Sequence, residues 1–408
     1  WGFARDIGIF DAWDAIGVEK SVNKMKEENR KVPSWVEEML ASGRKSFYEI
    51  IDGKLTYYCP VKKKVLTHKD NDKTLNLNLY KNSKTMLKRD WSASIHDLGD
   101  GVLNVEFHSI FVPAFNPIDR SMVGVVKDAL DLLDSGKYKG LVIGHQGKNW
   151  SAGANVNDFK MAIDSGNLQV MDAGVKEMQD VTQRIRHSKY PVVSCPFNLA
   201  LGGGFEFYAC STHTVAAGEL YAGLVEAIQG LIPGAGGHLR VILNLLENND
   251  AKNFNMNIGR QAIGLVNPLT VSRSATDALK KGWLRKSDTI CMNSEHLLAT
   301  AKHKVLELSE AGYKPPKFRE DLSLPGMTLR TMASVGLKAM KAQGKISDHD
   351  ELVASKSAFV LSGGDKGGLM SKVDEQYVLD IEREAFMSLA GEEKTQQRIA
   401  HFLKTGKP

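Results

Sequence analysis

A chain of 408 residues is too long for one ordinary domain and points to two or three. Its 42% hydrophobic and 25% charged residues are a globular composition, which excludes wholesale disorder. Lys plus Arg number 53 against 48 Asp plus Glu, and the resulting +5 is too mild to argue for nucleic acid, though it suits an anionic small ligand.

The start, Trp1-Gly2-Phe3-Ala4-Arg5, has no signal-peptide pattern and no initiator Met, as expected of a fragment of a longer chain. No apolar run approaches the ~20 residues of a membrane helix. Cys59, Cys195, Cys210 and Cys291 show no CxxC spacing and read as reduced thiols of a cytoplasmic protein. The histidines form neither HExxH nor a tight cluster, so no metal site is expected.

Three zones follow in chain order. In residues 1–88, Asp11 to Ile16 has helical amphipathicity. Ser34 and Glu37 have capping-box spacing, with Gly43 placed to end the same short helix. Val61 to Lys88 is lysine-rich and reads as a linker, and the zone as a whole has too little apolar sequence to expect a core of its own. Residues 89–325 alternate strands and helices. A strand over Val102–Phe107, a helix from Met122 to Leu133, a strand at Leu141–His145 and a helix from Val175 to Ile185 precede strands at Val192–Cys195 and His213–Ala217. That order predicts an α/β fold with largely parallel strands. Residues 326–408 read as charged helices interrupted at Gly363-Gly364 and Gly367-Gly368.

Two glycine-containing turns carry the chemistry. Each, Trp150 to Asn155 and Leu201 to Glu206, follows a strand and precedes an expected helix. Backbone amides at such turns lack helical partners and carry partial positive charge. Two of them aimed at one point make an oxyanion hole, and three successive glycines let a carbonyl approach the backbone. Either turn alone simply reverses the chain in most proteins. The glycines do not complete GxGxxG, and no P-loop is present. Glu206 falls about one turn into the second helix, and Glu226 stands alone in the apolar segment Gly223 to Gly237, where burying a charge is costly. An exposed helix-end Glu or a structural ion pair is the alternative for Glu226.

Taken together, Ala152-Gly153-Ala154, Gly202-Gly203-Gly204-Phe205-Glu206, and Glu226 with Ile232 to Gly237 resemble the enoyl-CoA hydratase (crotonase) family over roughly residues 89–325. Pro113 to Pro117 is similar to that family's first CoA-contacting loop. At the ends, Gly8 to Val18 resembles the last helical segment of 3-hydroxyacyl-CoA dehydrogenases, and Glu382 to Phe386 together with Arg398 to Pro408 resembles the C-terminus of fused dehydrogenase–hydratase proteins. The resemblance implies a crotonase-like ββα spiral core with flanking helical segments. It also implies a dehydrogenase remnant and linker at 1–88, a hydratase domain at 89–325 and a helical extension at 326–408.

Its implied substrate is a trans-2-enoyl-CoA. The thioester oxygen would sit between the amides of Ala154 and Gly203, Glu206 would deprotonate water, and Glu226 would supply the α-proton. Ala114, Ala152, Val156 and Gly202 match positions that line the coenzyme A moiety, and Phe205 would narrow the acyl site. Asn155 departs from the acidic residue many hydratases carry there. No cofactor is implied for hydration; NAD would belong to the dehydrogenase part of a parent chain, which is the implied partner. Hydratase, Δ3-Δ2 enoyl-CoA isomerase and a non-catalytic CoA-binding or docking module remain the competing readings. Nucleic acid is not expected as a partner. Homo-oligomerisation is left open, since stand-alone members often form trimers and the appended zones would compete for those surfaces.

Overall fold

Val18 and Val22 lie one helical turn apart, Val36 and Met39 nearly so, and all four are fully buried. They seed a core, together with Phe47 and Tyr58, in a zone that was expected to have none. In the computed structural model, which describes residues 7–69, 71–82, 84–267, 270–368 and 370–407, the chain forms two compact units, 1–72 with 76–84, and 73–75 with 85–408. Trp1–Arg5 and Pro408 lie outside the described residues.

The first unit comprises α1 (Ile9–Ile16), α2 (Val18–Glu27), α3 (Ser34–Ala41) and an antiparallel sheet of β1 (Tyr48–Ile51), β2 (Lys54–Cys59) and β3 (Lys64–Thr67). Trp13, Trp35 and Phe10 pack their rings around Phe47. Buried Arg44 ties the α3 exit to β2 by donating to the Phe47 and Thr56 carbonyls. Two expectations are corrected here. Pro33, not Ser34, is the N-cap of α3, and no side chain caps it, although Gly43 does take the left-handed conformation that ends it (φ +87°). The supposed linker 61–88 contains β3, a 3-10 turn at Leu77–Tyr80 and most of an edge strand, β4 (Met86–Arg89). A mostly polar strand such as β3 escapes a search for apolar periodicity because only one face is covered.

The second unit is built on a seven-stranded sheet. Its strands are β4 (Met86–Arg89), β5 (Ala93–Asp97), β6 (Val102–Phe107), β7 (Gly140–Ile143), β8 (Val192–Ser194), β10 (His213–Ala217) and β12 (Thr289–Cys291), in the order β12-β10-β8-β7-β6-β5-β4. From β6 to β12 every pairing is parallel, and β4 and β5 add antiparallel at one edge. Burial on both faces explains the continuous apolar runs: every residue of β6, β7, β8 and β10 is buried. Helices α4 (Arg120–Asp134), α5 (Val156–Asp164), α6 (Leu168–Arg186) and α7 (Gly203–Ala209) intervene, and a separate parallel pair, β9 (Asn198–Leu201) with β11 (Leu220–Gly223), stands outside the main sheet.

Then come α8 (Gly237–Asn248), α9 (Met256–Val266), α10 (Ala275–Lys281) and α11 (Leu297–Glu310). The last zone is helical as expected: α12 (Met327–Ala342), α13 (Asp348–Leu361), α14 (Glu375–Ala390) and α15 (Glu393–Thr405). A reciprocal capping box does occur, at Ser347 and Asp350 of α13. The extension packs on the α/β core within one unit: Gln179 of α6 donates to the Gly234 and Leu379 carbonyls, and Arg383 of α14 pairs with Asp172 of α6 at 2.9 Å. Among the described residues, no helix is long and apolar enough to cross a membrane.

Candidate active site

Strand β9 draws three distant segments together. On one side Ser151 donates to Leu199 O and accepts from Leu201 N, which fixes the first glycine turn. On the other, β11 pairs in register up to Gly223 opposite Leu201, and Gly202 N donates to Gly223 O. The second turn and the Glu226 segment therefore leave β9 and β11 at the same end.

The two turns touch backbone to backbone. A Cβ on Gly204 would lie 2.7 Å from Ser151 O, and one on Gly203 would lie 3.3 Å from Ala154 N. Only glycine permits that approach, and Gly202 and Gly153 also hold positive φ (+50° and +113°). Ala154 lies opposite Ile118 in a parallel bridge whose bonds are Ile118 N to Gly153 O and Asn155 N to Ile118 O. That pattern leaves the Ala154 amide turned away from Ile118. Gly203 is the first residue of α7, so its amide has no helical acceptor. Among the described residues, neither amide has a hydrogen-bond acceptor.

Both glutamates line the same cavity as these amides, with Ala152, Val156 and Gly202. It encloses about 610 Å³ of empty space, its open mouth included, a size suited to a small-molecule ligand. Glu206 is 2% exposed, and its Oε1 accepts from the amides of Ala235 and Gly237, both at 2.8 Å. Glu226 opens a 3-10 turn (Glu226–Gln229); a Cβ on Gly202 would meet its Oε1 at 2.9 Å, while its Oε2 is buried without a partner. No ion pair satisfies it among the described residues, so neither alternative posed for this residue applies.

Burial first, then the charges of Glu226 and Glu382, push the Glu206 carboxyl well above the usual carboxylate range, against the pull of the two amides. Burial likewise raises Glu226 to about 7, with Glu382 adding and backbone hydrogen bonding opposing. Two such carboxyls titrate as a pair. An acid, a base and two unpaired donors in one cavity can protonate carbon, deprotonate water and stabilise an oxyanion.

Of the other residues singled out, Asn155 caps α5 by accepting from Asn157 N. Ala114 is exposed and does not line this cavity; the neighbouring Phe115 O accepts from Ala152 N at 2.8 Å. Phe205 is corrected: it points into the core against Tyr208 and Trp283 instead of narrowing the cavity. Sequence reasoning missed Val175 and Met178 of α6 and Phe386 of α14, which supply the apolar wall. The 3.6-residue spacing of Val175 and Met178 was visible, but their facing a cavity was not.

This architecture is the crotonase-like α/β fold, and residues 98–262 match the family described as Enoyl-CoA hydratase/isomerase. Over all 408 residues the chain is 37% identical to a protein of Bacillus subtilis (strain 168) named "Probable 3-hydroxyacyl-CoA dehydrogenase", of whose length it spans 50%. It is 30% identical over 142 residues to the "Peroxisomal fatty acid beta-oxidation multifunctional protein" of Oryza sativa subsp. japonica, covering 35% of this chain and 19% of that one. The chain thus spans half or less of these curated relatives. Among solved structures, an enoyl-CoA hydratase from Rhodobacter sphaeroides 2.4.1 superposes with a TM-score of 0.55 at 17% identity, covering 78% of this chain and 91% of the other; that likeness is one of fold.

Proposed function

We propose that this chain hydrates trans-2-enoyl-CoA to 3-hydroxyacyl-CoA in fatty acid β-oxidation. One observation carries the reading: two unpaired amides, at Ala154 and Gly203, stand at adjoining turns in a cavity that also holds Glu206 and Glu226. The thioester oxygen accepts from both amides. Negative charge builds there as water adds to the β-carbon, so fixed donors stabilise the transition state more than the ground state. In the form of the coupled pair that carries its proton on Glu226, Glu206 takes a proton from water and Glu226 gives one to the α-carbon. Both act on the same face of the alkene.

The names of the relatives support a β-oxidation setting, and the half-length match supports reading the chain as one part of a larger cytoplasmic multifunctional protein, its second half. NAD chemistry would then belong to the other part, while the first unit would be the dehydrogenase remnant. Ala152, Val156 and Gly202 are the residues we assign to the pantetheine end of coenzyme A, with Ala114 on the adjoining loop. Supplying trans-2-enoyl-CoA and 3-enoyl-CoA separately tests the reaction. Loss of conjugated-thioester absorbance with the first supports hydration. Its appearance with the second, and no loss with the first, would identify an isomerase and refute the proposal; binding without turnover of either would leave only a docking module.

A further inference from the structure

Four consecutive amides, 235 to 238, are shared alternately between two carboxylates. Ala235 and Gly237 donate to Glu206 Oε1. Gly236 donates to Glu382 Oε1 at 2.7 Å and His238 to Glu382 Oε2 at 2.8 Å. Gly236, at φ +101°, lets successive N–H groups face opposite ways. Glu382 lies on α14, in the C-terminal extension, and is fully buried. Its Oε2 also faces His238 Nδ1 at 2.8 Å, and His238 Nε2 faces Ser357 Oγ of α13 at 2.7 Å, so helices α8, α13 and α14 lock one another.

A third buried carboxylate beside two others is electrostatically costly, and well-packed apolar residues would hold these helices at least as well. Its retention calls for a reason beyond stability. We propose that Glu382 is a positioning residue for the two-carboxylate site: by clasping the 236 and 238 amides it aims the 235 and 237 amides at Glu206. This rests on the hydratase reading for its meaning but not for its geometry.

Other charged groups stand around the site. Arg383 pairs with Asp172, and Arg240 donates to Gln183 while its Nε, beside Gly236, and its Nη1 are buried without a partner. Arg398 bonds Asp350 and Ala227 O, and His349 bonds Thr395. Glu382 is the charge common to both glutamates.

The test is a carbon-13 NMR titration of glutamate carboxyls in the full chain, assigned with Glu206→Gln and Glu226→Gln, alongside enoyl-CoA kinetics. In Glu382→Gln the titration of the pair should move down by about one pH unit. The high-pH limb of kcat should move with it, and kcat should fall about 10–100-fold while KM stays within about twofold. Glu382→Asp should restore part of each. An unmoved titration, or a kcat loss that merely follows the folded fraction, overturns the proposal. Should Glu382→Gln not fold, Glu382→Asp, which shortens the reach to the 236 and 238 amides, carries the kinetic readout: a fall in kcat at unchanged KM supports the proposal and an unchanged kcat refutes it. If wild-type protein hydrates nothing, the functional reading fails, yet the carboxyl titration still decides the role of Glu382.

Discussion

Glu226 is unusual because one of its carboxylate oxygens is buried without a partner while the other abuts a glycine. With its carboxyl raised to about 7 from an ordinary 4.5, the folded state binds more protons than the unfolded between those values. Its contribution therefore favours folding below that window and fades as pH climbs through it. Urea unfolding across the window should show stability declining toward neutrality, and Glu226→Gln should flatten the slope. At Gly202 the added methyl of Gly202→Ala would press on Glu226 Oε1 at 2.9 Å from a backbone at φ +50°. We expect turnover to fall on the order of 100-fold, more than any loss of folded protein, because displacing a reacting group by a fraction of an ångström is costly; circular dichroism beside the enoyl-thioester assay separates the two losses.

At the level of elements, the strands and helices of the middle zone were readable because sheet burial on both faces leaves continuous apolar runs and α4 and α6 keep a helical period. In the first unit the helices at Asp11–Ile16 and from Ser34 were readable but the core was not, because its six residues are spread over α2, α3, β2 and the bend at Phe47 with polar sequence between them. Phe205 misled for a related reason: every residue of the seven-residue α7 is buried, so no polar face marks which way each side chain points. Phe47→Ala should cost the first unit about 3–5 kcal/mol, read from the fluorescence of Trp13 and Trp35, which pack on that ring. On α14, burial tends to raise Glu375, but the His187 hydrogen bond and the charge of Arg186, with Gln183 and Arg240, outweigh it and hold the carboxyl at about 2. Its stabilisation is present above its ordinary range and lost as pH falls toward 2, so Glu375→Gln should weaken the protein at neutral pH and shrink its sensitivity to acid unfolding.

Across the whole molecule, local motifs named the two glycine turns and both glutamates, since each of those signals is contained in a few consecutive residues. What closes the site comes from far away: Phe386 lines the cavity and Glu382 bonds amides 144 and 146 residues earlier. No periodicity or turn signal marks such a pairing, because only tertiary packing creates it. The same packing brings α14 to the wall of the cavity instead of leaving it an appendage. The most direct measurement is a crystal structure of the chain with a 3-hydroxyacyl-CoA or unreactive thioester analogue bound. The account predicts the thioester oxygen roughly 2.7–3.1 Å from both the Ala154 and Gly203 nitrogens, with the carboxylates of Glu206 and Glu226 flanking the β- and α-carbons. A thioester oxygen bound by neither amide, or a reacting carbon beyond the reach of both carboxylates, would contradict it.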